Sequence, residues 1–549
     1  MAVIAPNSEI YLIKCPIELD NVNQLRFANA TAQHNYFNGL TKLSLTKATF
    51  QRKDGTIRWP GSMEDIIEYN YCMYRNKNHG NKWFYAFIEN MEYISDSMTA
   101  IKIKTDVWQT WQFDLTFKQC FVEREHVSDD TFGKHTLDEG LPTGEYIVNS
   151  YDEYGVTNPT QYAVVAQLSD LPSDMAAAGT ARFKNAQKIY GGLPNGSWLM
   201  CLPWSSNFTL YESLNALIEW YNADGRIDAV VSLYVIPKSL MPSGAAGLDY
   251  TSTDGNHGFT GYFFPASTTP YSIGTHSWTR NTTVDSYTPH NKKVLCFPYN
   301  YLLMSNNGGT EVTYRWEEFS SSNATFKLDV LINQGCDQKL RPTNYKRTDT
   351  SGGYAWSITG QKLPTLSWIS DYYLNWQAQN GSTAATKQIR RGEQKFNKAE
   401  NFFDFVGGLG EMIGGGLNYG YQQIKNTISG IESRAETEPD TAKGNANSGD
   451  INFTLGKTCF TGYKMSVRAE VAKVIDGYFD RYGYKVSTNK IPELHSRQNW
   501  NYVKLSDCNI IADIPQSDLD EIKNLFVKGI TLWHNPTTFL DYSQTNAII

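Results

Sequence analysis

Close cysteine pairs are missing from this chain. Of its eight cysteines (Cys15, Cys72, Cys120, Cys201, Cys296, Cys336, Cys459 and Cys508) the nearest two in sequence, Cys296 and Cys336, are 40 residues apart. No CxxC and no Cys/His cluster exists, which excludes a zinc ribbon and a small disulfide framework. Scattered thiols suit folding in a reducing cytosol. Catalytic signatures are missing as well. None of the nine histidines falls in an HExxH pattern and no GxSxG elbow occurs. Leu455-Gly456-Lys457-Thr458 looks like the end of a phosphate-binding loop, but Ile451 stands where the first glycine is required. No cofactor and no metal is expected, and the chain is not expected to be an enzyme.

Charge is scarce too, at 19% of residues, and its balance is −7. That excludes general nucleic-acid binding through a basic surface. No charge-free apolar run approaches the ~18 residues of an ordinary membrane-crossing helix. The opening MAVIAPNSEIYLIKCPIELD lacks the basic start and long apolar run of a secretory leader. It reads as a first strand centred on Tyr11, Leu12 and Ile13.

Aromatic residues are plentiful, at 13%, and with many Asn, Thr and Ser they favour strands over helices. A length of 549 residues allows roughly three or four domains. The fold class expected is mainly β (α+β). Ala100 to Val107 alternates, with Ile101, Ile103 and Thr105 on one side and Lys102, Lys104 and Asp106 on the other, as a half-buried strand does. The pattern extends it into Val107-Trp108-Gln109-Thr110-Trp111. Asn81 to Ile88 reads as a more apolar strand, and a short helix is expected near Asn23 to Phe37. Short apolar runs alternate with turn residues through 151–340. A helix is expected from Gln516 to Val527, with Leu519, Ile522, Leu525 and Phe526 on one face.

Glu123-Arg124-Glu125-His126 and Asp138-Glu139 bring carboxylates near His126 and His135. A glycosidase uses a pair of carboxylates. Neighbours in a strand point to opposite faces, however, so the reading adopted is an ion-paired strand end followed by a turn.

The most unusual stretch is NFFDFVGGLGEMIGGGLNYGYQQIKNTISG, from Asn401 to Gly430, in which eight of thirty residues are glycine. Its large apolar residues are Phe402, Phe403, Phe405, Val406, Leu409, Met412, Ile413 and Leu417. Phe402, Val406, Leu409, Ile413 and Leu417 recur at helical steps of three and four. Gly407, Gly408, Gly410, Gly414, Gly415, Gly416 and Gly420 lie among them. Gly410 with Gly414, and Gly416 with Gly420, have the spacing that lets helices approach closely in a bilayer. Asp404 and Glu411 interrupt the apolar run and are candidates for controlling insertion. Lys387, Arg390, Arg391, Lys395 and Lys398 precede it, and an acidic, linker-like stretch follows. The residues leave two readings open: a glycine-rich loop or core helix, or a segment that enters a membrane conditionally.

Several strings resemble the tail knob, or distal tail tube, proteins of small short-tailed phages of Gram-positive bacteria. They are Gly80 to Phe87, Asp106 to Asp114, Phe121 to Val127, Asp138 to Leu141, Tyr482-Gly483-Tyr484, His495-Ser496-Arg497, Trp500-Asn501-Tyr502, Gly529-Ile530-Thr531 and Trp533-His534. The resemblance implies a homo-hexameric tube at the tail tip, made in the host cytoplasm and joined to other tail proteins. It implies β-barrel tube regions at 1–150 and at 341–380 with 456–549, an inserted knob at 151–340, and a long loop at 381–455. Six such loops would plug the lumen, then enter the host cell membrane and let phage DNA pass without sequence-specific binding. Asn401 to Gly430 stands where that loop belongs. Lys387 to Lys398 would then face anionic headgroups. The alternative is a receptor-binding knob whose aromatic surface grips cell-wall glycan.

Overall fold

The computed structural model describes residues 8–18, 22–48, 55–76, 80–157, 161–168, 198–205, 207–223, 230–241, 246–251, 258–265, 270–332, 336–346, 357–360, 365–367 and 457–549. The described chain is mainly strand, with few helices. Its sheets curl only part of the way toward closed barrels. Contacts divide it into two units. One comprises 1–145, 283–299 and 467–549, and the other 146–282 and 300–466.

The first unit holds a six-stranded antiparallel sheet in the order Lys42–Ala48, Ser8–Ile13, Tyr71–Asn76, Trp83–Ser95, Met98–Thr105, Thr56–Trp59. The opening strand is Ser8–Ile13, with Leu12 and Ile13 buried. Met98–Thr105 carries the expected alternation, but the strand stops one residue before Asp106. Val107–Trp111 is a short helix instead of a continuation. Asp106 caps it, accepting from Gln109 N at 3.0 Å, and also receives the Tyr71 hydroxyl at 2.9 Å. All five residues of that helix are buried, so their apolar character followed burial rather than strand geometry. The helix expected near Asn23 to Phe37 divides into a strand, Asn23–Leu25, and a helix, Ala30–Gly39, capped by the Asn29 side chain.

A second sheet of this unit runs Asn23–Leu25, Ile530–Trp533, Trp500–Asp507, Cys120–Glu125, Tyr484–Lys490. Three of its five strands come from the last seventy residues of the chain and one from each of two early segments, so its core is built across the whole sequence. Gln516–Lys528 is a helix with Leu519, Ile522, Leu525 and Phe526 buried, as the spacing required. Phe526 meets the rings of Trp108 and Phe117 edge-on at 5.7 and 5.0 Å. Trp500 and Trp533, both fully buried, pack at 5.0 Å in a separate cluster with Phe37 and Tyr71.

The second unit holds a six-stranded antiparallel sheet, Ala246–Thr251, Gly258–Pro265, Trp198–Pro203, Tyr162–Leu168, Val230–Pro237, Thr365–Ser367. Helix Leu210–Ala223 packs on it, with Trp220 against Phe259 at 5.8 Å. Thr209 and Glu212 close its start reciprocally, hydroxyl to amide and carboxylate to amide. Two four-stranded sheets complete the unit: Tyr271–Thr279, Asn323–Ile332, Cys336–Pro342, Ile358–Thr359, and Tyr146–Thr157, Lys457–Val467, Asn300–Ser305, Glu311–Tyr314. Lys457 and Thr458 open a strand there. Among the described residues no helix is long and apolar enough to cross a membrane.

Candidate functional site

Two of the carboxylates that sequence singled out, Glu123 and Glu125, stand on the Cys120–Glu125 strand of the first unit. That strand has a bulge: Lys504 faces Arg124, whereas Leu505 faces Val122, leaving Glu123 extra. The bulge breaks the alternation. Cys120 and Val122 are buried on one parity and Glu125 on the other. Glu123 pairs with Lys504 at 2.8 Å. Glu125, its side chain 0% exposed, pairs with Lys490 at 2.6 Å and accepts from Glu493 N at 2.8 Å. Burial pushes the Glu125 carboxyl up; the bonds from Glu493 and Lys490 oppose it. Burial likewise pulls the Lys490 ammonium down, but its bonds to Glu125 and Glu493 outweigh that. Glu123 and Glu125 each pair with a lysine, Lys490 being shared with Glu493, which is the ion-paired strand end read from sequence.

His126 follows in the same state of full engagement. Its Nδ1 accepts from Tyr502 N at 2.7 Å, so its proton lies on Nε2, which donates to the Asp480 carbonyl at 3.1 Å. Burial, with Arg497 nearby, lowers its pKa to about 3. A neutral, doubly bonded, buried imidazole cannot serve as a proton shuttle to a substrate. His534 donates from Nε2 to Asn501 Oδ1 at 3.0 Å and is also lowered to about 3, first by burial and then by His495.

Beside this strand three distant chain segments are locked together. Asp476, 1% exposed on helix Ala469–Tyr482, accepts from four donors. They are the Tyr287 hydroxyl (2.7 Å), His290 N (2.7 Å), Asn291 N (2.9 Å) and Asn291 Nδ2 (2.8 Å). Asn291 Nδ2 also reaches Asp480 Oδ1 at 2.7 Å. Tyr484 donates to Asp130 Oδ1 at 2.6 Å. Glu139, its side chain wholly buried, receives Arg124 and Lys293, and Lys485 N at 3.0 Å. Arg124 also lies over the Tyr478 ring at 4.9 Å. Burial pulls the Lys293 ammonium down, against the pull of Glu139.

The ends of the three segments meet at the same helix. Asp285 Oδ2 accepts from Ala469 N at 2.9 Å, capping the helix from another segment, since Arg468 at the N-cap makes no side-chain cap bond. Asp285 and Ser286 both have positive φ and form the two-residue turn of a tight hairpin closed by Val284 and Tyr287. Arg468 bonds Glu145 at 3.0 Å, and Val467 N donates to Tyr299 O at 3.0 Å. Gly483 ends the helix at φ 61°, and a Cβ there would lie 2.1 Å from the Glu125 carbonyl oxygen. Only glycine fits that turn.

Chemically this constellation can immobilise chain, its buried carboxylates Asp476 and Glu139 each held by donors from other segments. Among the described residues no group of three His, Cys, Asp or Glu side chains is placed to hold a metal ion. Sequence reasoning missed Asp285, Asn291, Lys293 and Asp476. The stripe Ala472, Ile475, Phe479 ending at Gly483 was the available signal for the helix that carries Asp476. The structure brings together most strings of the 106–141 and 482–534 regions. The apolar residues Phe402 to Leu417, the glycines Gly407 to Gly420, Asp404, Glu411, and the basic residues Lys387 to Lys398 lie outside the described residues.

Two family models match the chain. The one described as Bacillus phage phi29, tail knob protein gp9, C-terminal domain matches residues 266–547, more than half of the 549. The one described as caudoviral major tail protein N-terminus matches residues 7–116. The chain is similar to the tail knob protein gp9 of Bacillus phage PZA, at 26% identity over 95% of this chain and 96% of that protein. It is similar to gp9 of Bacillus phage phi29 at 25% identity, with the same coverage. Gp9 of Bacillus phage B103 is 24% identical over 97% of each chain. The solved tail knob protein gp12 of bacteriophage C1 superimposes with a TM-score of 0.59, covering 99% of this chain and 100% of that one at 14% identity, and so shares the fold.

Proposed function

The chain belongs to the family of the Bacillus phage phi29 tail knob protein gp9 and is a structural component of the virion tail, and from that premise we propose that six copies form the tube at the tail tip through which DNA leaves. The loop at 381–455 closes the lumen before infection. On infection Asn401 to Gly430 enters the host membrane.

One observation carries this reading: a thirty-residue stretch with eight glycines and the large apolar residues Phe402 to Leu417 sits inside a tail protein whose charge is sparse and on balance negative. A sequestered loop explains that composition. Its glycines tolerate two conformations and close packing among copies. The balance of −7 suits a conduit for a polyanion, because Lys and Arg along the lumen would hold phosphates.

We assign the tube to 1–145, 283–299 and 467–549, since Asp476, Asp285 and Glu139 bind 283–299 into that unit. The outer knob falls to the inserted region. Other tail proteins join the tube end to end. A knob that grips glycan is the second reading, favoured by Tyr151 and Trp204, which stand 66% and 39% exposed in the other unit.

Images of the purified protein test the architecture. Six-fold rings with a plugged lumen support the tube; monomers or rings of another order contradict it. Asp404 and Glu411 are assigned the control of insertion, because charged carboxylates oppose entry into a bilayer. Liposome leakage should then rise toward low pH. An Asp404→Asn, Glu411→Gln variant that leaks with an unchanged pH profile removes that role.

A further inference from the structure

We propose that Cys120 and Cys508 are a latent disulfide site that closes once the virion has left the reducing host cytosol.

The two thiols come from distant parts of the first unit's chain yet lie close together, Cys508 packing against the cluster that holds Cys120. Asp507 faces Phe121 in one ladder, and Ile510 faces Phe117 in the next. These registers, which differ by one residue, place Cys508 and Asn509 across from Gln119 and Cys120. Directly opposed residues in an antiparallel pair have Cα atoms about 4.5–5.5 Å apart, within the roughly 4.4–6.8 Å that a disulfide spans. The Cys508 and Cys120 thiols are close enough to influence one another electrostatically. Asn509 N donates to Cys120 Sγ at 3.2 Å and fixes that sulfur beside the chain of Cys508. Both side chains belong to one apolar cluster with Val122 and Leu505.

Access separates this pair from the rest. Seven of the eight free cysteines are buried, and Cys508 alone is half-buried. Cys201 and Cys336 also lie near one another, but both are buried from any oxidant. An oxidant reaches Cys508 first, and Cys120 is in place to resolve the product. With oxidised glutathione, the Cys508 thiolate attacks the S–S bond and expels one glutathione thiolate. The Cys120 thiolate then attacks Cys508 Sγ and expels the second. The two cysteine protons pass to the two glutathiones, so electrons and protons balance. Burial pushes the Cys508 thiol up to about 12, which makes exchange slow at neutral pH and faster as pH rises.

Within the fold, the bond would tie the strand before the long insertion to the strand after it. Such closure stabilises by restricting the unfolded chain. It suits a part that must persist outside the cell.

The test uses the full chain, reduced, then incubated with oxidised glutathione. Thiols are counted in denaturant, and peptides are mapped by mass spectrometry without reduction. The expected result is loss of two of the eight thiols, one linked peptide pair containing Cys120 and Cys508, and a melting midpoint raised by roughly 5 °C. Dithiothreitol should reverse all three, and Cys508→Ser should lose no thiol pair while Cys201→Ser behaves as the parent. Eight surviving thiols, a Cys508 that stops at the glutathione adduct, a link between two chains through Cys508, or a link through Cys201 and Cys336 would each overturn the proposal. The parent map decides the matter even where a variant folds poorly.

Discussion

The first unit is held at two places by opposite means. Around Phe526, a local helical stripe packs into aromatic rings. Around Asp476, a buried carboxylate gathers four donors from a segment nearly two hundred residues away. The apolar contact is forgiving, because dispersion and burial have no direction. The polar one is not, because each donor left without its acceptor carries a desolvation cost of its own. The apolar contact lets a helix form; the polar one decides which piece of chain lies beside it.

Five substitutions and one change of pH should break or sharpen that contrast. The largest effect belongs to Gly483→Ala, where the new methyl would meet the Glu125 backbone and the φ is positive. The chain should fail to fold stably, seen as loss of the cooperative unfolding transition. Asp476→Ala follows. It strands four donors, each worth about 1.5–3 kcal/mol to a charged acceptor, so denaturant titration should show a loss of at least about 5 kcal/mol. Phe526→Ala should cost about 4 kcal/mol by the cavity it leaves. A loss for Asp476→Ala smaller than that for Phe526→Ala would reverse the contrast.

Acid should then act on the polar side alone. His126 is held near 3 in the folded state against 6.5 for the free side chain. A group lowered in this way supports the fold above pH 6.5. That support is lost as pH falls from 6.5 toward 3, by about 1.4 kcal/mol per unit. Chemical denaturation at pH 7 and pH 5 should therefore differ by about 2 kcal/mol for this residue, and a similar amount for His534. Asp106, raised by burial to about 6, works the other way. Its native form takes up a proton more readily than the unfolded chain, so Asp106→Asn should steepen the acid loss between about pH 6 and 4. Val474→Lys, at a position 74% exposed, should change stability by less than about 0.5 kcal/mol.

The contrast also explains what sequence could carry. Leu519, Ile522, Leu525 and Phe526 announced their helix because one element's periodicity contains the whole signal. Ser8–Ile13 and Met98–Thr105 were legible for the same reason. Val107 to Trp111 was not, since a fully buried short helix and a strand share an apolar pattern and only the Asp106 cap tells them apart. The ion pairing of Glu123 and Glu125 could be expected, but not their partners Lys504 and Lys490, which lie far along the chain. Asp285 capping a helix that begins at Ala469 has no local signature at all. Gly483 and Gly529 both fall in the strings that carry the family resemblance, and only the backbone shows why. Both have positive φ, and at Gly529 a Cβ would lie 2.2 Å from the Tyr502 hydroxyl.

The most direct test of the account is dye release from anionic liposomes, comparing the full chain with a deletion of 400–425. The account predicts release by the full chain, no release by the deletion, and the same hexameric assembly for both. Equal release by the deletion, or a deletion that no longer assembles, would contradict it.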